Sequence, residues 1–170
     1  AMRAAYGWLY PGAQFMVWNR TPAGAEDIAA HFPNTLVMTD LESAVMASDI
    51  VSTATMSREP LIEGDWLAPG QHVDLIGAYR ADMREADDTA LTCARIFLDS
   101  RATVLEHIGE LKIPIEEGVV TPADIQGDYY DIEAGAFTRA PDDITVFKNG
   151  GGAHLDLMTA RYILAKWRAR

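Results

Sequence analysis

Short apolar runs of strand length, each followed by a polar turn and an amphipathic stretch, constrain this chain more than any other feature. "FMVWNRTPAGAEDIAAHF", Phe15 to Phe32, shows the unit once in full. "QFMVW" is nearly continuous in apolar residues, as a strand covered on both faces must be. Thr21 and Pro22 stand where an N-cap and a first helical residue belong, with Glu26 and Asp27 expected in the first turn. Ala25, Ile28, Ala29 and Phe32 recur at helical spacing and predict a buried helix face. "TLVM" predicts the next strand, and Asp40 then caps a helix whose Leu41, Ala44 and Val45 face inward. "DIVSTAT", "HVDLIGAY", "RIFLDS" and "DDITVFK" predict four more strands. Strands alternating with helices predict an α/β fold with a mostly parallel sheet flanked by helices.

The rest of the chain is less regular. "AMRAAYGWLY" predicts a helix closed by the turn "PGA". Residues 105–141 read as an irregular helical segment, with pieces such as "VLEHIGEL" and "PADIQGDYYDIEAGAF" broken by Gly and Pro. After "NGGG" comes a final helix with Leu155, Met158, Tyr162 and Ile163 at helical spacing. Leu157, Leu164 and Trp167 widen that stripe, so either the rest of the domain or a partner must cover it. The expected organisation is a single domain over 2–170, with its core at 14–104, the irregular segment at 105–141, and the last strand and helix at 142–170.

Composition narrows the class. Hydrophobic residues make up 49% of the 170 and charged residues 23%, enough for a packed core. A net charge of -11 argues against nucleic acid or an anionic membrane as partner, because phosphates would be repelled on average. A local cationic pocket for a small phosphate stays compatible with it. The single cysteine, Cys93, excludes an internal disulfide framework, and its apolar neighbours in "ALTCARIFL" predict a reduced, buried thiol. No apolar run reaches about 18 residues and no charged leader precedes a hydrophobic segment, so the expected location is cytoplasmic. Ala1 ahead of Met2 reads as a cloning remnant, with Met2 as the start. The four histidines show no ligand spacing, so no metal site is expected. Acidic clusters such as "EADD" and "PDD" read as helix starts and solvated turns.

In an open α/β sheet, ligands bind beyond the carboxyl ends of the strands. After "QFMVW" stand Asn19, Arg20 and Thr21, where a dinucleotide fold meets the adenosine ribose. An acidic residue there takes a free 2′-hydroxyl, whereas Arg and hydroxyl groups suit a 2′-phosphate, so "NRT" points to NADP over NAD. The bland alternative is a solvated Arg20 on a turn and a Thr21 that merely caps. After "DIVS" comes "TATMSREP", whose small hydroxyl residues let a flat ring or ribose approach. After "HVDLIG", Gly77 permits close approach, with Tyr79 and Arg80 nearby; a tight turn with a surface ion pair fits equally well. The glycines of "KNGGGAH" precede a helix, as an anion site or as plain flexibility.

Taken in order, "VWNRTPAGAEDIA", "DIVSTATMSREPLI", "HVDLIGAYRADMREADD", "FLDSRATVLEHIGEL" and "ITVFKNGG" resemble the ornithine cyclodeaminase/mu-crystallin family. The likeness runs from about Phe15 to the end. It implies a Rossmann domain of a two-domain, NAD(P)-dependent oxidoreductase that acts on amino acids or their cyclic imines by hydride transfer. It implies a nucleotide seat built from Asn19, Arg20 and Thr21, from Thr53, Ala54, Thr55 and Met56, from Ile76, Gly77 and Tyr79, and from Lys148 and Asn149. Arg20 would face the 2′-phosphate. Cyclodeaminases carry an aspartate at the position of Tyr79, so the resemblance implies an imine or ketimine reductase or an amino-acid dehydrogenase over a true cyclodeaminase. Asn149 stands where the family has serine, and Ala81 where it has proline. No residue is identified as catalytic.

The same comparison exposes a gap. No GxGxxG precedes "VWNRT", and "AMRAAYGWLYPGA" resembles the helix that follows such a loop. A domain lacking that first, central strand would leave buried amides unsatisfied. Three resolutions are expected: 15–18 pairs directly with 49–53, a second copy fills the gap, or the chain is a fragment. The first two are preferred if Met2 is the start. On this reading the chain alone would be an incomplete catalyst that binds NADP doubtfully without its substrate part, and it would form a homo-oligomer. The alternative is a non-catalytic Rossmann-like remnant acting as a dimer or interaction subunit.

Overall fold

The computed structural model describes residues 2–169, and for His154 the backbone; Ala1 and Arg170 lie outside the described residues. It divides into two compact units, one up to Ser48 and one from Asp49 on.

The first unit holds α1 (Met2–Leu9), β1 (Phe15–Val17), α2 (Pro22–His31), β2 (Thr35–Val37) and α3 (Leu41–Met46). β1 and β2 pair in parallel, Phe15 with Thr35 through Val17 with Val37. Such pairing needs a crossover, which α2 supplies. Asn34 (φ 58) turns the chain into β2 in the left-handed conformation that Asn tolerates. Arg3 ties α1 to the strands: its guanidinium lies 3.5 Å from the Phe15 ring centroid, and its Nε donates to Thr35 Oγ1 at 3.0 Å. Asp40 caps α3 as expected, accepting from Ser43 N–H at 2.9 Å, and Ala44 and Val45 are buried.

The α2 face departs from the expectation. Ala25 alone among its four apolar positions is buried, while Ile28 is 38% exposed. No acidic residue falls in the first turn of α2. Two three-residue strands present too narrow a surface to cover a ten-residue helix, so periodicity marked a face that this unit leaves half open.

The second unit is built on a five-stranded sheet of β3 (Ile50–Thr53), β4 (His72–Leu75), β5 (Arg95–Leu98), β6 (Ile125–Gly127) and β7 (Thr145–Lys148). Its order is β3-β4-β7-β5-β6, and every ladder is parallel. β1 takes β2 as its partner, and β3 is an edge strand held by β4. Within the second unit the crossovers from β3 to β4 and from β5 to β6 join paired neighbours, while β7 enters last, between β4 and β5. Val73, Leu75, Ile96, Leu98 and Val146 are buried along the central strands, and in β4 and β5 three successive residues are buried, as strands covered on both faces require.

The helices of this unit are α4 (Asp88–Thr92), α5 (Arg101–Val104), α6 (Gly109–Glu116) and α7 (Ala153–Arg168). The segment 105–141 differs from its helical expectation by holding β6, an edge strand on β5, between 3-10 turns at Pro122–Asp124 and Tyr129–Asp131. Asp128 and Asp131 form a capping box over the second turn, so local side-chain bonds break any longer helix there. Cys93 is exposed at the C-cap of α4, not buried in the core. Helix α4 is a single turn, so its inward positions are used up by Ala90 and Leu91. Along α7 the apolar stripe is real but uncovered, with Met158, Tyr162, Ile163 and Trp167 all above half exposed. No helix among the described residues is long and apolar enough to cross a membrane.

Candidate functional site at the carboxyl edge of the sheet

Four strands of the second unit stop at one level. Thr53 pairs with Leu75, Leu75 with Lys148, and Lys148 with Leu98, so the segments beginning at Ala54, Ile76, Asn149 and Asp99 leave the sheet side by side. Ile76 N–H donates to Thr53 O at 3.0 Å and Asn149 N–H to Leu75 O at 3.0 Å, which carries the ladder one residue past the strands. Nine of the twelve residues expected to form a nucleotide seat are thereby brought to one edge. They are Thr53, Ala54, Thr55, Met56, Ile76, Gly77, Tyr79, Lys148 and Asn149.

Their surroundings differ. Met56 and Tyr79 are exposed, at 72% and 57%. Thr53 is buried, and its Oγ1 finds no hydrogen-bond partner among the described residues. Asn149 Oδ1 accepts from Gly151 N–H at 2.8 Å, and Gly151 (φ 69) needs the left-handed conformation for that turn. A Cβ on Gly77 would run into the backbone N and O of Thr55 and into Glu85 Oε1. The glycine therefore lets two strand-end segments touch. Arg80 ends in an exposed ion pair, its Nε 3.1 Å from Asp82, which also meets Arg58 Nε at 3.1 Å.

Lys148 is fully buried and donates from Nζ to Leu75 O at 3.0 Å. Burial pushes its pKa below the usual lysine value, against the pull of Glu110, Glu85, Asp99 and Asp74. With no exposed surface, Lys148 meets the end of β4 through the Leu75 carbonyl.

Two residues that sequence reasoning passed over organise this edge. Glu85 has no exposed surface. Its Oε1 accepts from Thr55 N–H at 2.6 Å, and its Oε2 accepts from Gly77 N–H at 2.7 Å and Ala78 N–H at 3.2 Å. Glu110, equally buried on the first turn of α6, accepts from the backbone N–H of Glu85 at 2.8 Å and of Ala86 at 2.9 Å. Burial raises the Glu110 pKa to about 7, opposed by those two amides and by Lys148. "EADD" is thus a solvated helix start only from Asp87 on, where Asp87 caps α4 by accepting from Ala90 N–H. A signal was present: Glu85 lies three residues after Asp82 in a glycine-led loop, but position alone does not separate a buried carboxyl from a solvated one.

The remaining three expected residues lie in the first unit. Asn19, Arg20 and Thr21 are exposed on the turn between β1 and α2. Asn19 Nδ2 donates to Thr21 O at 2.7 Å and occupies the space a Cβ on Gly24 would take. Thr21 holds the N-cap position of α2 without a side-chain cap bond, leaving its hydroxyl outside the helix terminus. Among the described residues no three His, Cys, Asp or Glu side chains gather as a metal-binding group.

The chain is similar to several known proteins. The Delta(1)-pyrroline-2-carboxylate reductase of Paracoccus denitrificans is 51% identical over 166 residues, 94% of this chain and 52% of that protein. The ketimine reductase mu-crystallin of Rattus norvegicus is 33% identical over 152 residues, 89% of this chain and 46% of that one. Among solved structures, the Delta(1)-pyrroline-2-carboxylate reductase of Thermococcus litoralis in complex with NADH and L-proline superposes with a TM-score of 0.79 at 29% identity. It covers 86% of this chain and 47% of its own. The chain spans about half the length of the curated relatives it matches. The fold is the Rossmann-like one expected from the strand pattern. With the family pattern matched over residues 9–170, the chain belongs to the ornithine cyclodeaminase/mu-crystallin family.

Proposed function

We propose that residues 2–170 are the nucleotide-binding domain of a nicotinamide-dependent oxidoreductase acting on a small imine or ketimine, or on the corresponding amino acid. The observation that carries this reading is the common level of Thr53, Leu75 and Lys148, which sets three polar segments at the carboxyl edge of a parallel sheet. That edge is where open α/β sheets hold nucleotides. The relatives named as reductases of pyrroline-2-carboxylate and ketimines support the substrate class. Bound here, the nicotinamide would supply the hydride. The chain's own part is to line the ring with Thr53–Met56, Ile76, Gly77 and Asn149, and to present exposed Tyr79 to the substrate side. Tyr79 in place of an aspartate favours reduction over cyclodeamination. Exposed Arg20, flanked by Asn19 and Thr21, provides a cationic corner fitting a 2′-phosphate, which favours NADPH over NADH.

Titration of the chain with NADPH and with NADH tests the reading. Micromolar NADPH binding, weakened at least tenfold by Arg20→Ala while NADH affinity changes little, supports it. No binding of either nucleotide at millimolar concentration leaves a second reading, an interaction subunit or homo-oligomer without catalysis. One observation favours that one specifically: the exposed apolar stripe of α7.

A further inference from the structure

A buried carboxyl group joins the two segments on which the proposed nucleotide seat depends. Glu85 Oε1 and Oε2 take backbone N–H groups from Thr55, after β3, and from Gly77 and Ala78, after β4. The backbone of Glu85 is fixed in turn: its carbonyl accepts from Leu61 and Ile62 at 2.9 Å, and its N–H donates to Glu110. Gly109, at the start of α6, is pinned by a bond from its N–H to Arg80 O at 2.9 Å. A Cβ there would meet Ala81 O and Met83 O at 2.6 Å, so the helix that carries Glu110 is pressed against the same loop. Strand ends that diverge past their ladder ordinarily splay. Here one side chain holds them at the separation set by three hydrogen bonds.

We infer that Glu85 is a positioning residue for the nicotinamide nucleotide, clamping Thr55 to Gly77 and Ala78 across the β3–β4 edge, and that Glu110 seats Glu85 for this task. Neither touches the nucleotide. The inference rests on the proposed function for its ligand, and on the hydrogen bonds for its geometry. Glutamine is the sharpest substitution, because it offers one acceptor oxygen where three amides converge and turns its own donors toward the rest.

The test measures NADPH affinity of the full chain for wild type, Glu85→Gln and Glu110→Gln, with the amide proton shifts of Thr55, Gly77 and Ala78 recorded on the free proteins. The expected result is a Kd at least tenfold weaker for Glu85→Gln. Glu110→Gln should move the same three amides although it bonds none of them. A purely structural role would lower the melting temperature and leave the Kd of the folded fraction unchanged. Wild-type binding that Glu85→Gln weakens less than threefold, or amides unmoved by Glu110→Gln, overturns the inference alone. A wild type that binds neither NADPH nor NADH overturns the functional reading and this inference with it. If Glu85→Gln does not fold, Glu85→Asp carries the test. It keeps both oxygens but retracts them by one methylene, and a Kd unchanged in that variant is equally fatal.

Discussion

Replacing Glu110 by Gln should change how stability depends on pH, with a sign the geometry fixes. In the folded chain burial raises the Glu110 pKa from 4.5 to about 7, although two amides and Lys148 favour its charged form. A raised carboxyl pKa means that the native state binds the proton more tightly than the unfolded chain does. Its contribution to stability is therefore full below 4.5 and is lost as pH rises through about 7. A displacement of that size corresponds to roughly 3 kcal/mol in all, of which about 2 kcal/mol falls between about pH 5.5 and pH 8. Glu85 and Lys148 are the charged groups facing it, and both stay in the variant. His72 acts with the opposite sign, since burial lowers its pKa and its contribution grows as pH rises toward 6.5. Comparing two proteins that share His72 removes that effect. Glutamine keeps one acceptor and turns an N–H₂ toward the second amide, a pH-independent cost of about 1–3 kcal/mol. Urea denaturation at several pH values should thus find wild type ahead at the acid end and its lead shrinking by about 2 kcal/mol toward pH 8. A lead that is flat or grows with pH would refute the assignment of the proton to Glu110.

Lys148→Met keeps the volume but removes the buried cation from Glu110, Glu85, Asp99 and Asp74. Equilibrium unfolding near pH 8 should lose about 3–5 kcal/mol, the cost of stranding buried acids, and a loss under 1 kcal/mol would contradict the electrostatic role. Gly77→Ala forces a Cβ into the Thr55 backbone, which cannot swing aside as a side chain would. Thermal melting should show about 1–3 kcal/mol of destabilisation, and an unchanged midpoint would contradict the close approach.

Much of the fold could be read from residues because buried parallel strands leave an unmistakable mark. β3, β4, β5 and β7 each fall within a stretch whose apolar residues mark it as a strand. β6 escaped because three residues that include Gly127, set between two capped turns, carry no periodicity. The inward face of α2 and the burial of Cys93 were misread for a common reason. Pattern reports which residues would pack, and tertiary neighbours decide whether they do. Ile28 lacks enough sheet beneath it, and Cys93 falls one residue beyond the single turn that faces inward. The residues of the proposed seat were picked out by their position after strands. Glu85 and Glu110 were not, since burial of an acid depends on which backbone amides arrive from distant segments, 25 and 30 residues away.

Mapping amide shift changes in the labelled chain during NADPH titration tests the central claim most directly. The account predicts perturbations concentrated on Thr53–Met56, Ile76–Tyr79 and Asn149, together with Asn19–Thr21. Shifts confined to the amino ends of the strands, at Gln71, His72 and Thr145, or none at millimolar nucleotide, would contradict it.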